Sequence, residues 1–182
     1  MNNITHEFRY LRSLLNGTKK LHKLKSGWKT SYLLRVLGAY LVLDLALNLI
    51  IGYPLFTLLE DYYDTYTEVL ESPLEWLIIG VTIVPLIEEI IFRGPMTLAK
   101  KNIKATQWLF WLLTIAFALV HITNYDFDII PIWAYPLMVL PQFITGILLG
   151  VVRIRFGLRY SIILHSAFNF VLLVPDTIWN QS

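Results

Sequence analysis

The chain has 182 residues, of which 56% are hydrophobic and only 15% charged. A soluble domain carries about 25% charged residues, so this balance argues against an ordinary soluble enzyme and for a membrane protein. Cysteine is absent, which removes disulfides, thiolate metal sites and a cysteine nucleophile from consideration.

In chain order, residues 1–32 form a basic segment with Arg9, Arg12, Lys19, Lys20, Lys23, Lys25 and Lys29. Apolar residues such as Phe8, Leu11, Leu14 and Trp28 alternate with these charges. That pattern suits an amphipathic segment lying on an anionic leaflet beside a membrane span. It has no apolar stretch ending in a small-residue cleavage site, so it does not read as a secretory signal. A nucleic-acid arm is the other meaning of such a charge run, and the span that follows at once argues against it; no nucleic-acid partner is expected.

Residues 33–175 read as a transmembrane domain. Apolar runs at Leu33–Ile51, Leu74–Phe92, Thr106–Ile122, Pro131–Val152 and Leu158–Val174 are each close to the length of a membrane-crossing helix. The expected architecture is an all-α membrane bundle of five helices, with a short tail at 176–182. Gly146 and Gly150, four apart, offer a small-residue face for close helix contact. Basic residues cluster before the first span, between Arg93 and Lys104, and at Arg153, Arg155 and Arg159, whereas the segments with Glu60 to Glu75 and with Asp126 and Asp128 hold none. By the positive-inside rule the N-terminus is cytoplasmic and Ser182 external.

Within these spans a few residues break the apolar pattern. Glu88, Glu89 and Arg93 lie inside or at the edge of the second run, where each charge costs roughly 2.5 to 3.5 kcal/mol at a helix centre. Charges at the membrane boundary that simply meet water are the plain alternative. Glu89 and Arg93 are four apart and can pair, while Glu88 is turned by about 100° and faces elsewhere. In the third run Phe117 and His121 share a face; in the fifth, His165 and Asn169 do. Counted at 1.5 Å per residue from the basic helix ends, the depths of Glu88, His121, His165 and Asn169 overlap. Asp44, one turn before Asn48, reads as a structural polar contact facing the bundle.

The ordered set Glu88-Glu89-x-x-x-Arg93, Phe117-x-x-x-His121 and His165-x-x-x-Asn169 resembles the three motifs of the CPBP intramembrane proteases, which comprise CAAX proteases and bacteriocin-processing enzymes and are also called the Abi family. The resemblance covers residues 74–175. It implies an integral protein of a bacterial cell membrane that hydrolyses a peptide bond in a membrane-associated protein or peptide. It further implies catalytic roles for Glu88, His121, His165 and Asn169: the first two activate a water and the last two hold the oxyanion. Glu89, Arg93 and Phe117 would support them. The family leaves metal dependence open: the reaction needs no cofactor, or a divalent metal such as zinc bound by Glu88, His121 and His165. Oligomeric state is not indicated. Two other readings fit parts of the pattern. A non-catalytic immunity factor or partner-binding scaffold could use the same fold, although every motif residue is retained. A small transporter with an acidic relay would be expected to show a repeat between two halves, and none is visible.

Overall fold

Proline and hydrogen-bond supply shape this bundle as much as hydrophobicity does. A computed structural model describes residues 4–15, 29–59, 72–98, 102–124 and 130–179. Among these residues every regular element is helical. We number the helices α1 (Ile4–Leu15), α2 (Thr30–Leu58), α3 (73–93), α4 (Ile103–Val120), α5 (Leu140–Arg155) and α6 (Leu158–Trp179). The acidic segment 60–71, Asp126, Asp128 and the basic stretches 16–28 and 99–101 lie outside the described residues.

Among the described residues, four helical stretches are long and apolar enough to cross a membrane: Thr30–Leu58, Lys104–Thr123, Ile132–Arg155 and Leu158–Pro175. The remaining expected span, at Leu74–Phe92, is continuous helix, but Glu75, Glu88, Glu89 and Arg93 set α3 apart from the other four. A helical membrane bundle is therefore established, with the helix of the acidic motif carrying more charged residues than any of the four apolar stretches. α2 runs well past the expected end at Ile51, and α6 continues through Pro175 to Trp179.

Two helices contain the same local device. In α2 a π-helical turn at Asn48–Gly52 precedes Pro54, and in α3 a π-helical turn at Ile79–Ile83 precedes Pro85. In α3 the Val84 N–H bonds five residues back, to the Ile79 carbonyl. The Gly80 carbonyl thereby loses its ordinary donor, and the next residue, Pro85, has no N–H to offer. Asn169 of α6 fills the gap, donating from Nδ2 to Gly80 O at 2.8 Å. α3 and α6 are close there: a Cβ on Gly80 would lie 2.7 Å from Leu173 Cδ1.

The Gly146/Gly150 face does receive a neighbouring helix. A Cβ on Gly150 would meet the Phe110 ring at 2.7 Å, and one on Gly146 would meet Phe117 at 3.1 Å and Thr114 at 3.2 Å. These glycines therefore let α5 approach α4 along the stripe that carries Phe117. At the other end of α5 the chain reverses into α6 through Gly157, whose φ of +116° favours glycine.

α1 is amphipathic as expected, and its apolar face is taken up by the bundle. Tyr10, Leu11 and Leu14 join Leu33, Val36, Leu37 and Tyr40 of α2 in the main core, while Arg9 and Arg12 stay exposed. Its one acid, Glu7, is buried and grips Arg155 through two bonds, from Nε at 2.9 Å and from Nη2 at 2.7 Å. The Arg155 guanidinium also lies over the Tyr10 ring, 4.3 Å from its centroid, and Tyr32 donates to Glu7 at 3.1 Å.

Candidate active site

The two adjacent glutamates of α3 differ first in access. Glu89 is fully buried, whereas Glu88 keeps 20% of its side chain exposed. Successive positions on a helix point about 100° apart, so one carboxylate enters the packed interior and the other looks into a space that water can reach. α3 is held in this rotation at both ends. Asn169 binds its π turn, and Arg153 Nε of α5 donates to the Arg93 carbonyl at 3.1 Å, satisfying a helix-end acceptor.

Glu88 stands between two imidazoles. His121 Nε2 lies 3.8 Å from Oε1, and His165 Nε2 lies 3.5 Å from Oε2. His121 closes α4 and starts a 3₁₀ turn, His121–Asn124. Its Nδ1 is 2.7 Å from the Phe117 carbonyl. A carbonyl only accepts, so Nδ1 carries the proton and Nε2 is presented to Glu88. The 3.8 Å separation is too long for a direct hydrogen bond, yet a water about 2.8 Å from each atom fits at the apex.

His165 is 4% exposed and is flanked by both glutamates. Its Nδ1 faces Glu89 Oε1 at 3.3 Å while Nε2 faces Glu88. The Glu89 oxygen is shared, since Arg93 Nε lies 3.5 Å from it. Arg93 is itself buried; Nη2 reaches the Gly146 carbonyl at 3.5 Å, and the guanidinium carbon sits 3.9 Å above the Phe117 ring. Phe117 is thus the hub of the site. Its ring also meets His121, His165 and Phe92 edge-on, at centroid distances of 4.7, 5.8 and 5.6 Å.

The structure therefore brings Glu88, Glu89, Arg93, Phe117, His121 and His165 into one cluster from three helices. Asn169 lies one turn beyond His165, with Nδ2 bonded to Gly80 O; a primary amide has a second N–H. Sequence reasoning did not find two participants, Gly80 and Arg153. Pro85 signals that a carbonyl upstream loses its donor, but which one depends on the π turn. Arg153 reads only as a flanking positive charge.

Imidazole and carboxylate are donors that zinc accepts. Among the described residues, however, no group of three or more His, Asp and Glu side chains is arranged to hold a metal ion. Glu88 turns a different oxygen to each histidine. No step below is routed through a metal.

The cluster is an acid–imidazole site with one partly accessible carboxylate, carried by a helical membrane bundle. The family described as type II CAAX prenyl endopeptidase, Rce1-like, matches residues 70–171. That segment is more than half of the chain and contains every residue of the cluster, and the protein belongs to this family. No curated protein and no solved structure matches the chain.

Proposed function

We propose that this protein is an intramembrane endopeptidase that cleaves a membrane-associated protein or peptide with a water activated by Glu88 and His121. The observation that carries the reading is the Glu88 carboxylate, partly accessible and placed between two imidazoles. A water between Glu88 and His121 gives a proton to the carboxylate as its oxygen forms a bond to the carbonyl carbon of the scissile peptide. The carbonyl oxygen becomes an oxyanion, which His165 and the free N–H of Asn169 stabilise by hydrogen bonds. The C–N bond then breaks, and the proton held by Glu88 passes to the departing nitrogen. Glu89 and Arg93 keep α3 in register and hold the far side of His165.

Both ring nitrogens of His165 face carboxylates, Nδ1 towards Glu89 and Nε2 towards Glu88. The family description points to a peptide with a prenylated CAAX terminus as the substrate to try first. The test compares membrane peptide profiles from cells making the native protein and Glu88→Gln, together with cleavage of a farnesylated CAAX peptide by each purified protein. Peptides that accumulate or vanish only with the native protein support the reading. Identical profiles, with equal inertness towards the peptide, overturn it.

A further inference from the structure

Arg93, Arg153 and Arg155 all turn away from full exposure, and two of them meet an acid. Arg93 has Glu89 and Arg155 has Glu7, both within ion-pair distance. Arg153 of α5 is partly buried, and among the described residues no carboxylate pairs with it. Its Nε donates to the Arg93 carbonyl at 3.1 Å, while Nη1 and Nη2 have no hydrogen-bond partner among the described residues. One neutral donor would satisfy that carbonyl. Capping α3 therefore accounts for Nε but not for the charge or the two terminal nitrogens, and a partly buried cation without an acid is costly.

Arg153 also stands in line with the site. It follows Gly146 by seven residues, two turns along one stripe of α5, and the Gly146 carbonyl takes Arg93. The Arg93 carbonyl that Arg153 caps is five residues beyond Glu88, about 7.5 Å along α3 at 1.5 Å per residue. Glu88 and Arg153 both keep some exposure, whereas Glu89 and Arg93 between them are closed off. A CAAX terminus fits that separation. The motif ends in a free carboxylate, and a bond cut within its four residues lies at most three residues from that group. Three extended residues span about 10 Å, so a peptide anchored at Arg153 brings such a bond beside Glu88.

We propose that Arg153 is a specificity-determining residue that binds the terminal carboxylate of the substrate through Nη1 and Nη2, while Nε stays on the Arg93 carbonyl. The proposal rests on the peptidase reading above and deepens it. The planar end of a guanidinium offers two parallel N–H donors to the two oxygens of a carboxylate. Only the last residue of a chain carries that group. The contact therefore selects chain ends, and it keeps internal segments of membrane proteins from settling beside Glu88.

The test uses the full chain in detergent and two fluorescent farnesylated CAAX peptides, one ending in a free carboxylate and one in a carboxamide. Binding is read by anisotropy in Glu88→Gln, so that neither peptide is cut, and turnover is read in the native protein. The carboxylate peptide is expected to bind at least about tenfold more tightly, the scale of a hydrogen bond to a charged group. Arg153→Gln sets its amide nitrogen where Nε stands, so it keeps a donor for the Arg93 carbonyl and removes the cation. Added to Glu88→Gln, it is expected to abolish the preference by weakening the carboxylate peptide alone, with a near-native unfolding midpoint. In the otherwise native protein it is expected to raise KM for the carboxylate peptide about tenfold and leave kcat within about twofold. Equal binding of the two peptides before Arg153 is altered overturns the proposal. So does a preference that survives Arg153→Gln, or a loss shared equally by both peptides, which assigns Arg153 to the fold or to lipid. Should Arg153→Gln fail to fold, Arg153→Lys decides: losing the fork is expected to cut the preference severalfold, and an unchanged preference overturns the proposal. If native protein and Glu88→Gln are equally inert, the peptidase reading is what fails, and the binding comparison still decides the role of Arg153.

Discussion

Glu89 Oε1 lies 3.3 Å from His165 Nδ1, so the carboxylate that sequence spacing pairs with Arg93 also grips the histidine of α6. This shared oxygen links the helix that carries the acidic motif to the helix that completes the site. It also separates the consequences of altering two neighbouring glutamates.

Glu88→Gln is expected to reduce cleavage at least about 100-fold, the scale of a lost general base, while the folded protein remains in the membrane. Glu89→Gln is expected to destabilise the bundle by about 3 kcal/mol, because Arg93 stays buried without its carboxylate, and to lower activity through His165. Thermal unfolding and turnover measured on both variants check the pair. Full activity in Glu88→Gln refutes the assignment of the base.

Chelation provides a separate check. Turnover is expected to survive treatment with a chelator, and active protein is expected to carry less than one metal ion per chain. Stoichiometric zinc that leaves and returns with activity would reverse this expectation and make Glu88, His121 and His165 its ligands.

Acid should open the contact between α1 and α5. Burial by itself raises the Glu7 carboxyl, but the bonds and charge of Arg155, with Tyr32 and His6, outweigh it and hold Glu7 below its ordinary value of 4.5. A depressed folded value means that the stabilisation is fully present above pH 4.5 and fades as pH falls through that value toward the folded one. Glu7→Gln is expected to cost about 3 kcal/mol at neutral pH, with the difference from the native protein shrinking below the ordinary carboxylate value. Unfolding midpoints of both proteins across an acid series measure it; a constant difference would show that the pair is not the source.

Reporter fusions after Leu59 and after Leu98 are expected to lie on opposite sides of the membrane, with Leu98 cytoplasmic. Both on one side would remove α3 from the set of spans.

The candidate cluster was readable because its spacing is local. Glu89 and Arg93, Phe117 and His121, and His165 and Asn169 each sit four apart on a helix, and a polar residue in an apolar run stands out at once. Asp44 and Asn48 were legible as a polar contact for the same reason, and they do bond. Thr145 was not, since nothing in spacing tells which helix will face Asp44 across 101 positions. The π turns were equally hidden: a proline marks where a donor is missing, but the shift from four-residue to five-residue bonding depends on how α3 packs against α6. The basic N-terminal segment showed its amphipathic pattern but not its fate, because a leaflet and a protein core both accept Tyr10, Leu11 and Leu14.

The ion pair of Glu7 and Arg155 bridges 148 positions and so has a consequence for biosynthesis. Chains emerge N-terminus first, so α1 waits while α2 to α5 are made and inserted. Until then Glu7 has no guanidinium to meet, and the apolar face of α1 has only part of its berth. Closure of this clasp comes only after α2 to α5 have been made. A nascent chain stalled before Arg155 leaves Glu7 without its guanidinium and Tyr10 without the cation above its ring; a finished chain supplies both.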